Sequence, residues 1–312
     1  MRVRSLAAVC LAVAGLLVGE ARAAGDVEIA PKWKAGETRS YERVKSRRRT
    51  RGGKETQHVS GRTPVDLKVI EATDKGYVVR WTFGKTTSDD PGAERDPVAR
   101  ALVGLVEGMH VDLELDREAT VLGVRNWKEL QTKGRSIVET LAEARPGLDK
   151  ETADRLRPAL LAMMATRGQV EQLFTREPQP FFLAVGRTYT PGKPFEFDDT
   201  LPNPLGGPPF PAKARLGLKS YDPKTGRAVV EWTQATDPRA TGRVIAETLK
   251  QMARRLGNRA PTAADLGDMK VEDRGEFVLD VKTGWPEHVT HTRKVTSGGS
   301  SQEDTLEIRR RP

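Results

Sequence analysis

One stretch of this chain is written twice. Residues 66–82 return 151 positions later as residues 217–233, and a gap-free comparison finds six identities in the 17 positions. Average composition would give about one identity over that length. The identities are Leu67/Leu218, Lys68/Lys219, Val78/Val229, Val79/Val230, Trp81/Trp232 and Thr82/Thr233. Self-similarity at a fixed offset is the sequence signature of a duplicated unit, so we predict two tandem repeats.

The repeated stretch has the pattern of a strand that is buried on one face only. In residues 76–83, Val79 and Trp81 point to one side and Arg80 points to the other. Turns that contain glycine precede both tryptophan strands, as expected for hairpins. Strands of parallel sheets are usually apolar on both faces, so this alternation favours an antiparallel sheet.

Helical patterns follow the tryptophan strands. Asp-Pro dipeptides at residues 96–97 and 237–238 provide an N-cap and a first-turn proline. Residues 126–178 add further helical periodicity. We therefore predict an α+β fold with two tandem repeats, each a curved antiparallel sheet with a helix packed on one face. The predicted domains are a targeting segment (1–23), a first β-rich repeat (24–125), a helical insert (126–178) and a second β-rich repeat (179–312).

Residues 1–23 have the features of a cleaved signal peptide. A basic start precedes an apolar run over residues 6–18, which is too short to span a bilayer, and Ala21 and Ala23 form a small-x-small cleavage site. Cys10 is the only cysteine, so the mature chain has no thiol chemistry. Acylation of Cys10 is the alternative, but most of the apolar run would then follow the modified residue. We predict a soluble periplasmic or secreted protein.

The chain is basic, with a formal net charge of +9. Residues 43–54 concentrate lysine and arginine around Gly52 and Gly53, which suit a hairpin tip. One interpretation is a basic arm that binds an anionic envelope polymer. The favoured interpretation is a solvated edge hairpin whose charge prevents association between sheets. Nucleic acid is not an expected partner, because no aromatic residues for base stacking lie nearby. The sequence makes no prediction of oligomeric state.

Catalytic and cofactor motifs are not evident in the sequence. His288 and His291 are three residues apart on a predicted strand, which puts them on opposite faces and makes them a poor metal pair. No nucleophile elbow or phosphate-binding glycine loop is found. Adjacent carboxylates at 89–90 and 198–199 are typical of turns. We predict a protein that is not an enzyme and needs no cofactor or metal.

The repeated aromatic residues Trp81, Trp232, Tyr41 and Tyr189 are the candidate ligand-lining residues. A hydrophobic surface inside a curved sheet would bind a lipid or another apolar small molecule. The alternative is ordinary core packing beneath the helices. Two functions therefore stand: a non-catalytic binding protein for an apolar ligand, or a structural or accessory protein of the cell envelope with a filled core.

Both repeats begin with Gly-x-Thr and a tyrosine, at Gly36 and Gly186, and the second contains Asp-x-x-Thr-Gly from Asp280 to Gly284. In these features the chain resembles exported bacterial proteins classed as domains of unknown function. It is more loosely similar to the periplasmic carriers and receptors of lipoproteins. That resemblance implies a curved antiparallel half-barrel closed by helices, and an apolar ligand. The first repeat departs from the Thr-Gly ending after Asp116, and no binding residue is carried over.

Overall fold

The fold is dominated by strands. The computed structural model describes residues 25–89, 107–144, 157–158, 161–162, 164–201, 203, 208–256 and 269–312. The strands are β1 (Val27–Ile29), β2 (Thr38–Arg51), β3 (Lys54–Thr73), β4 (Gly76–Phe83), β5 (Thr87–Ser88), β6 (His110–Leu115), β7 (Val121–Val124), β8 (Arg187–Tyr189), β9 (Phe195–Leu201), β10 (Phe210–Asp222), β11 (Arg227–Thr236), β12 (Lys270–Asp280), β13 (Pro286–Ser297) and β14 (Ser300–Arg310). The helices within these ranges are α1 (Trp127–Ala144), α2 (Arg167–Thr175), α3 (Pro178–Phe182) and α4 (Pro238–Leu256).

One antiparallel sheet of 12 strands contains nearly all of the strands. Its order is β7-β6-β4-β3-β2-β14-β13-β12-β11-β10-β9, β5 pairs with β3, and β1 and β8 form a separate pair. The antiparallel sheet is confirmed, but the prediction of an α+β fold with two repeats, each with its own sheet and helix, is wrong. Two separate sheets would each leave an edge of unpaired backbone groups. Pairing of β14 with β2 satisfies both edges and joins the halves.

The two repeated stretches lie on the hairpins β3–β4 and β10–β11, and both tryptophans point to the same face of the sheet. The residues that align in the two sequences do not all occupy equivalent positions in the two hairpins. Leu67 lies opposite Trp81, but the residue opposite Trp232 is Leu216 rather than Leu218. The β10–β11 turn is two residues longer than the β3–β4 turn, which displaces the first strands relative to each other. The identities are therefore structurally equivalent on β4 and β11 only.

The sheet has one face that is covered by helices and one that is open. The covered face carries Leu67, Trp81 and Trp232, and α3 places Phe181 against it, with its ring centroid 5.3 Å from that of Trp81. At the other end of the sheet, α4 packs Ile245 and Leu249 over strands β9, β10 and β12. The two apolar clusters are thus separate regions of one face.

Helix α4 begins as the sequence predicts. The Asp237 carboxylate accepts a hydrogen bond from the Ala240 amide at 2.7 Å, and Pro238 is the first helical residue. The helix predicted after residues 96–97 and the targeting segment at 1–23 lie outside the described residues. Within the described ranges, no helix combines the length and the apolar character needed to cross a bilayer.

The basic hairpin β2–β3 is in the middle of the sheet. Its tip at Gly52 and Gly53 is as predicted, with φ angles of 56° and 75°. The prediction of an edge position is wrong, because β2 pairs with β3 on one side and with β14 on the other. Carboxylates on β14 explain how charged strands pair here: Arg47 Nε donates to Asp304 Oδ1 at 2.6 Å.

Candidate functional site

Three of the four candidate aromatic residues are packed into the interior. Trp81, Tyr41 and Tyr189 are at most 1% exposed. The Tyr41 hydroxyl donates to the Pro286 carbonyl at 2.9 Å, and the Tyr189 hydroxyl donates to the Ala184 carbonyl at 2.8 Å. Burial raises the pKa of both tyrosines above the ordinary value. These side chains hold parts of the fold together.

Trp232 is also buried, at 8% exposure, and its ring points to the covered face, although the residue is among those that line the groove described below. The ring centroid is 5.5 Å from that of His291. A Cβ atom at Gly275 would lie 3.2 Å from the Trp232 ring, so glycine provides the room for the indole. The structure brings Trp81 and Tyr41 together around Phe181, whereas Trp232 lies elsewhere on the sheet.

A groove of about 940 Å³ lies on the open face, across strands β9 to β13. Strand alternation turns charged residues and threonines toward it. Its charged open-face residues are Glu196, Asp198, Lys213, Arg215, Glu231, Glu272, Arg274 and Glu276. Its hydroxyl residues are Thr233, Thr290 and Thr292.

A cross-strand row forms the floor of this groove. The strand register places Arg215, Thr233, Arg274, Thr292 and Thr305 side by side on consecutive strands. The hydroxyls of Thr292 and Thr305 are 3.4 Å apart. The row continues onto β2 and β3 as Ser46 and Ser60. These arginine and hydroxyl side chains thus form a row that is perpendicular to the strands.

Ion pairs neutralise the carboxylates of the groove. The pairs are Glu196–Arg215 (3.9 Å), Asp198–Lys213 (2.5 Å), Glu231–Lys219 (2.6 Å), Glu276–Lys219 (2.9 Å) and Glu272–Lys270 (2.8 Å). Hydrogen bonds from its ammonium to Glu231 and Glu276 raise the pKa of Lys219. Among the charged lining residues, Arg274 is the one to which the described part of the chain gives no ion-pair partner.

A buried polar cluster lies on the covered face beneath the groove. Asp273 accepts hydrogen bonds from His291 Nε2 at 3.1 Å and from Arg293 Nε and Nη2 at 2.8 and 2.7 Å. Burial alone would raise the pKa of Asp273, but these hydrogen bonds and the positive charge of Arg293 outweigh it and lower the pKa. The cluster is an ion pair with an oriented imidazole.

Sequence reasoning missed both Asp273 and Arg274. Alternation along β12 places Asp273 on the same side as Val271 and Phe277, which is a visible signal of a charge on an apolar face. No comparable signal marks Arg274, because its position depends on the register of β11, β12 and β13. The prediction that His288 and His291 face opposite sides is confirmed, since His288 contacts Glu307 instead of Asp273.

The residues of the described ranges contain no group of three or more histidine, cysteine or carboxylate side chains arranged to hold a metal ion. The sequence matches no known protein-family model, and a search of curated proteins finds no match.

Proposed function

We propose that the protein is a non-catalytic binding protein of the cell envelope, and that its groove holds a hydroxyl-rich carbohydrate with an acidic group at Arg274. The observation that carries this proposal is an exposed arginine in the groove floor, between Thr233 and Thr292, which has no ion-pair partner among the residues that the structure describes. A guanidinium binds a carboxylate through two parallel hydrogen bonds. Threonine hydroxyls both donate and accept, as sugar hydroxyls do.

The chemistry of the lining favours a polar ligand over the apolar ligand expected from the sequence. A lipid chain in this groove would desolvate charged groups without replacing their hydrogen bonds, which is unfavourable. Trp81, Tyr41 and Tyr189 are already packed against protein groups. A lipid ligand stays a prediction of the sequence, and Trp232 and Phe197 are the aromatic residues among those that line the groove.

Placement in the envelope is part of the same proposal and rests on the sequence of residues 1–23. The exported protein should begin at Ala24, which mass spectrometry of its N-terminal peptide would reveal. Retention of residues 1–23 in the mature protein would contradict this placement.

A structural or accessory envelope role is the second candidate function. The observation in its favour is the filled core around Phe181, where Trp81 and Tyr41 pack edge-on against one ring. In that case the groove would have no ligand of its own.

Isothermal titration calorimetry with an oligogalacturonate of defined length tests the carbohydrate proposal. We expect saturable binding, and Arg274→Gln should weaken it at least about tenfold, since a hydrogen bond to a charged group contributes roughly 1.5–3 kcal/mol. Arg135→Gln, at an exposed arginine of α1, is the matched control and should bind as the wild type does.

Two results would overturn the carbohydrate proposal: no binding at millimolar oligogalacturonate, or an unchanged affinity in Arg274→Gln. Saturable uptake of phospholipid would then support the apolar ligand. Absence of binding to either probe would support the structural role.

A further inference from the structure

The two edge strands of the large sheet differ in length and in what covers their outer side. At one end, β7 is four residues long, and its Val124 amide donates to Glu171 Oε1 at 3.1 Å. Arg167 Nε holds the same carboxylate at 2.8 Å, so α2 occupies this edge. At the other end, β9 is seven residues long and pairs with β10, and no strand of the described residues pairs with its outer side.

From Phe195 to Asp198 the side chains of β9 alternate in chemistry as well as in direction, and Asp199 adds a carboxylate on the side of the two phenylalanines. Phe195 and Phe197 lie on the side of the covered face and are 41% and 39% exposed. Glu196 and Asp198 lie on the side of the open face. A strand that pairs with the outer side of β9 would place alternate side chains beside Phe195 and Phe197 on one side of the sheet, and the remaining side chains beside Glu196 and Asp198 on the other.

We propose that the β9 edge binds an extended segment of another polypeptide in which lysine or arginine alternates with apolar residues. Its apolar side chains cover Phe195 and Phe197, and its cations meet Glu196 and Asp198. The backbone groups on the outer side of β9 supply the hydrogen bonds of the new ladder.

The existing ion pairs of β9 do not stand in the way of such a partner. Glu196 pairs with Arg215 and Asp198 pairs with Lys213, and the four side chains are at least 63% exposed. Exposed pairs of this kind contribute little to stability, so the carboxylates exchange or share partners at little cost.

Charge also decides between a basic partner and a second copy of this chain. Antiparallel pairing of two β9 strands centred on Phe197 would place Glu196 of each copy opposite Asp198 of the other. Like charges directly across a ladder are destabilising. A basic segment would instead place its cations next to Glu196 and Asp198 on the side of the open face, where opposite charges attract.

Nitrogen-15 NMR of the mature chain, titrated with a capped heptapeptide of alternating lysine and valine, tests the proposal. We expect saturable shifts confined to β9 and β10. A peptide of alternating glutamate and valine should bind at least about fivefold more weakly, because two exposed charge pairs at ~0.5 kcal/mol each are lost. Methylation of alternate backbone nitrogens in the lysine–valine peptide should abolish its binding, because the methylated nitrogens can no longer donate hydrogen bonds to β9.

The double variant Glu196→Lys, Asp198→Lys provides the reverse test. It should reverse the preference between the two peptides, and unchanged amide shifts outside β9 and β10 would show that it folds. The proposal is overturned if millimolar lysine–valine peptide causes no shifts, if the methylated peptide binds equally well, or if the shifts centre on Arg274. Oligogalacturonate binding by the same sample is measured separately, so failure of one proposal is distinguishable from failure of the other.

Discussion

Asp273 shows how much one side chain depends on its neighbours across strands. Its carboxylate has no exposed surface, and Arg293 and His291 supply three hydrogen bonds to it. The alternation of β12 predicts that Asp273 is on the apolar side. Its partners are on β13, 18 and 20 residues away, and the local sequence does not encode that register. The position is therefore predictable, but the charge compensation is not.

Asp273→Asn should lower the free energy of unfolding by about 3 kcal/mol at neutral pH, because Arg293 is left as a partly buried charge without its partner. Urea denaturation measures the change. Asp198→Asn, which breaks an exposed pair with Lys213, is the matched control and should cost less than about 1 kcal/mol. Equal losses in the two variants would contradict the buried pairing.

The same variant should change the acid sensitivity of the protein. The folded pKa of Asp273 is below its ordinary value of about 3.9, so its stabilisation is complete above that value. It is lost as the pH falls through about 3.9 and then through the lower folded pKa. The stability difference between wild type and Asp273→Asn should therefore shrink toward acid pH. A difference that stays constant from about pH 6 to about pH 3 would argue against an ionised Asp273.

Helices α2 and α3 are fastened to the sheet by a carboxylate at their junction. Glu177 accepts from Arg43 Nε at 2.7 Å and Nη2 at 2.8 Å, and from Lys45 Nζ at 3.0 Å. Burial opposes ionisation of Glu177, but the hydrogen bonds and charges of Arg43 and Lys45 lower its pKa. This contact places Phe181 over the covered face of the sheet.

Glu177→Gln should destabilise the protein by about 2 kcal/mol, since charge-assisted hydrogen bonds are lost at a partly exposed site. Hydrogen exchange should show the largest loss of protection in α2 and α3. The control is Glu118→Gln, at an exposed glutamate in the turn between β6 and β7, which should leave exchange unchanged. Uniform loss of protection across the sheet would count against an anchoring role.

Local elements were more predictable than their assembly. The alternation in residues 76–83 predicts β4 with its bounds, and Asp237 with Pro238 predicts the start of α4. The pairing of β2 with β14 joins residues more than 240 positions apart, so no local period reveals it. The candidate site depends on the same long-range register, because Arg274 meets Thr233 and Thr292 only through strand pairing.

At the scale of the whole molecule, the two halves form one continuous hydrogen-bonded sheet. Strand β14 lies between β2 and β13, and its register with β2 runs from Ser300 opposite Arg51 to Arg310 opposite Tyr41. Two independent repeats would have unfolded separately, whereas a continuous sheet couples them.

We therefore expect a single cooperative unfolding transition. Hydrogen exchange in urea should give the same midpoint for peptides from the β3–β4 hairpin and from the β10–β11 hairpin, because neither half keeps its edge satisfied alone. The exchange of the exposed tip at Gly52 and Gly53 serves as an internal reference for local opening. Two well-separated midpoints for the hairpins would rule out this coupling.

The central position of β14 has a consequence for the order in which the protein can be assembled. Strand β2 is made long before β14, which is the last of the described strands in chain order, so one side of β2 has no strand to pair with until β14 has been made. Arg47 and Arg49 lie on β2. Their like charges would keep unfinished chains from associating through this edge, until Asp304 and Gln302 on β14 accept hydrogen bonds from the two arginines.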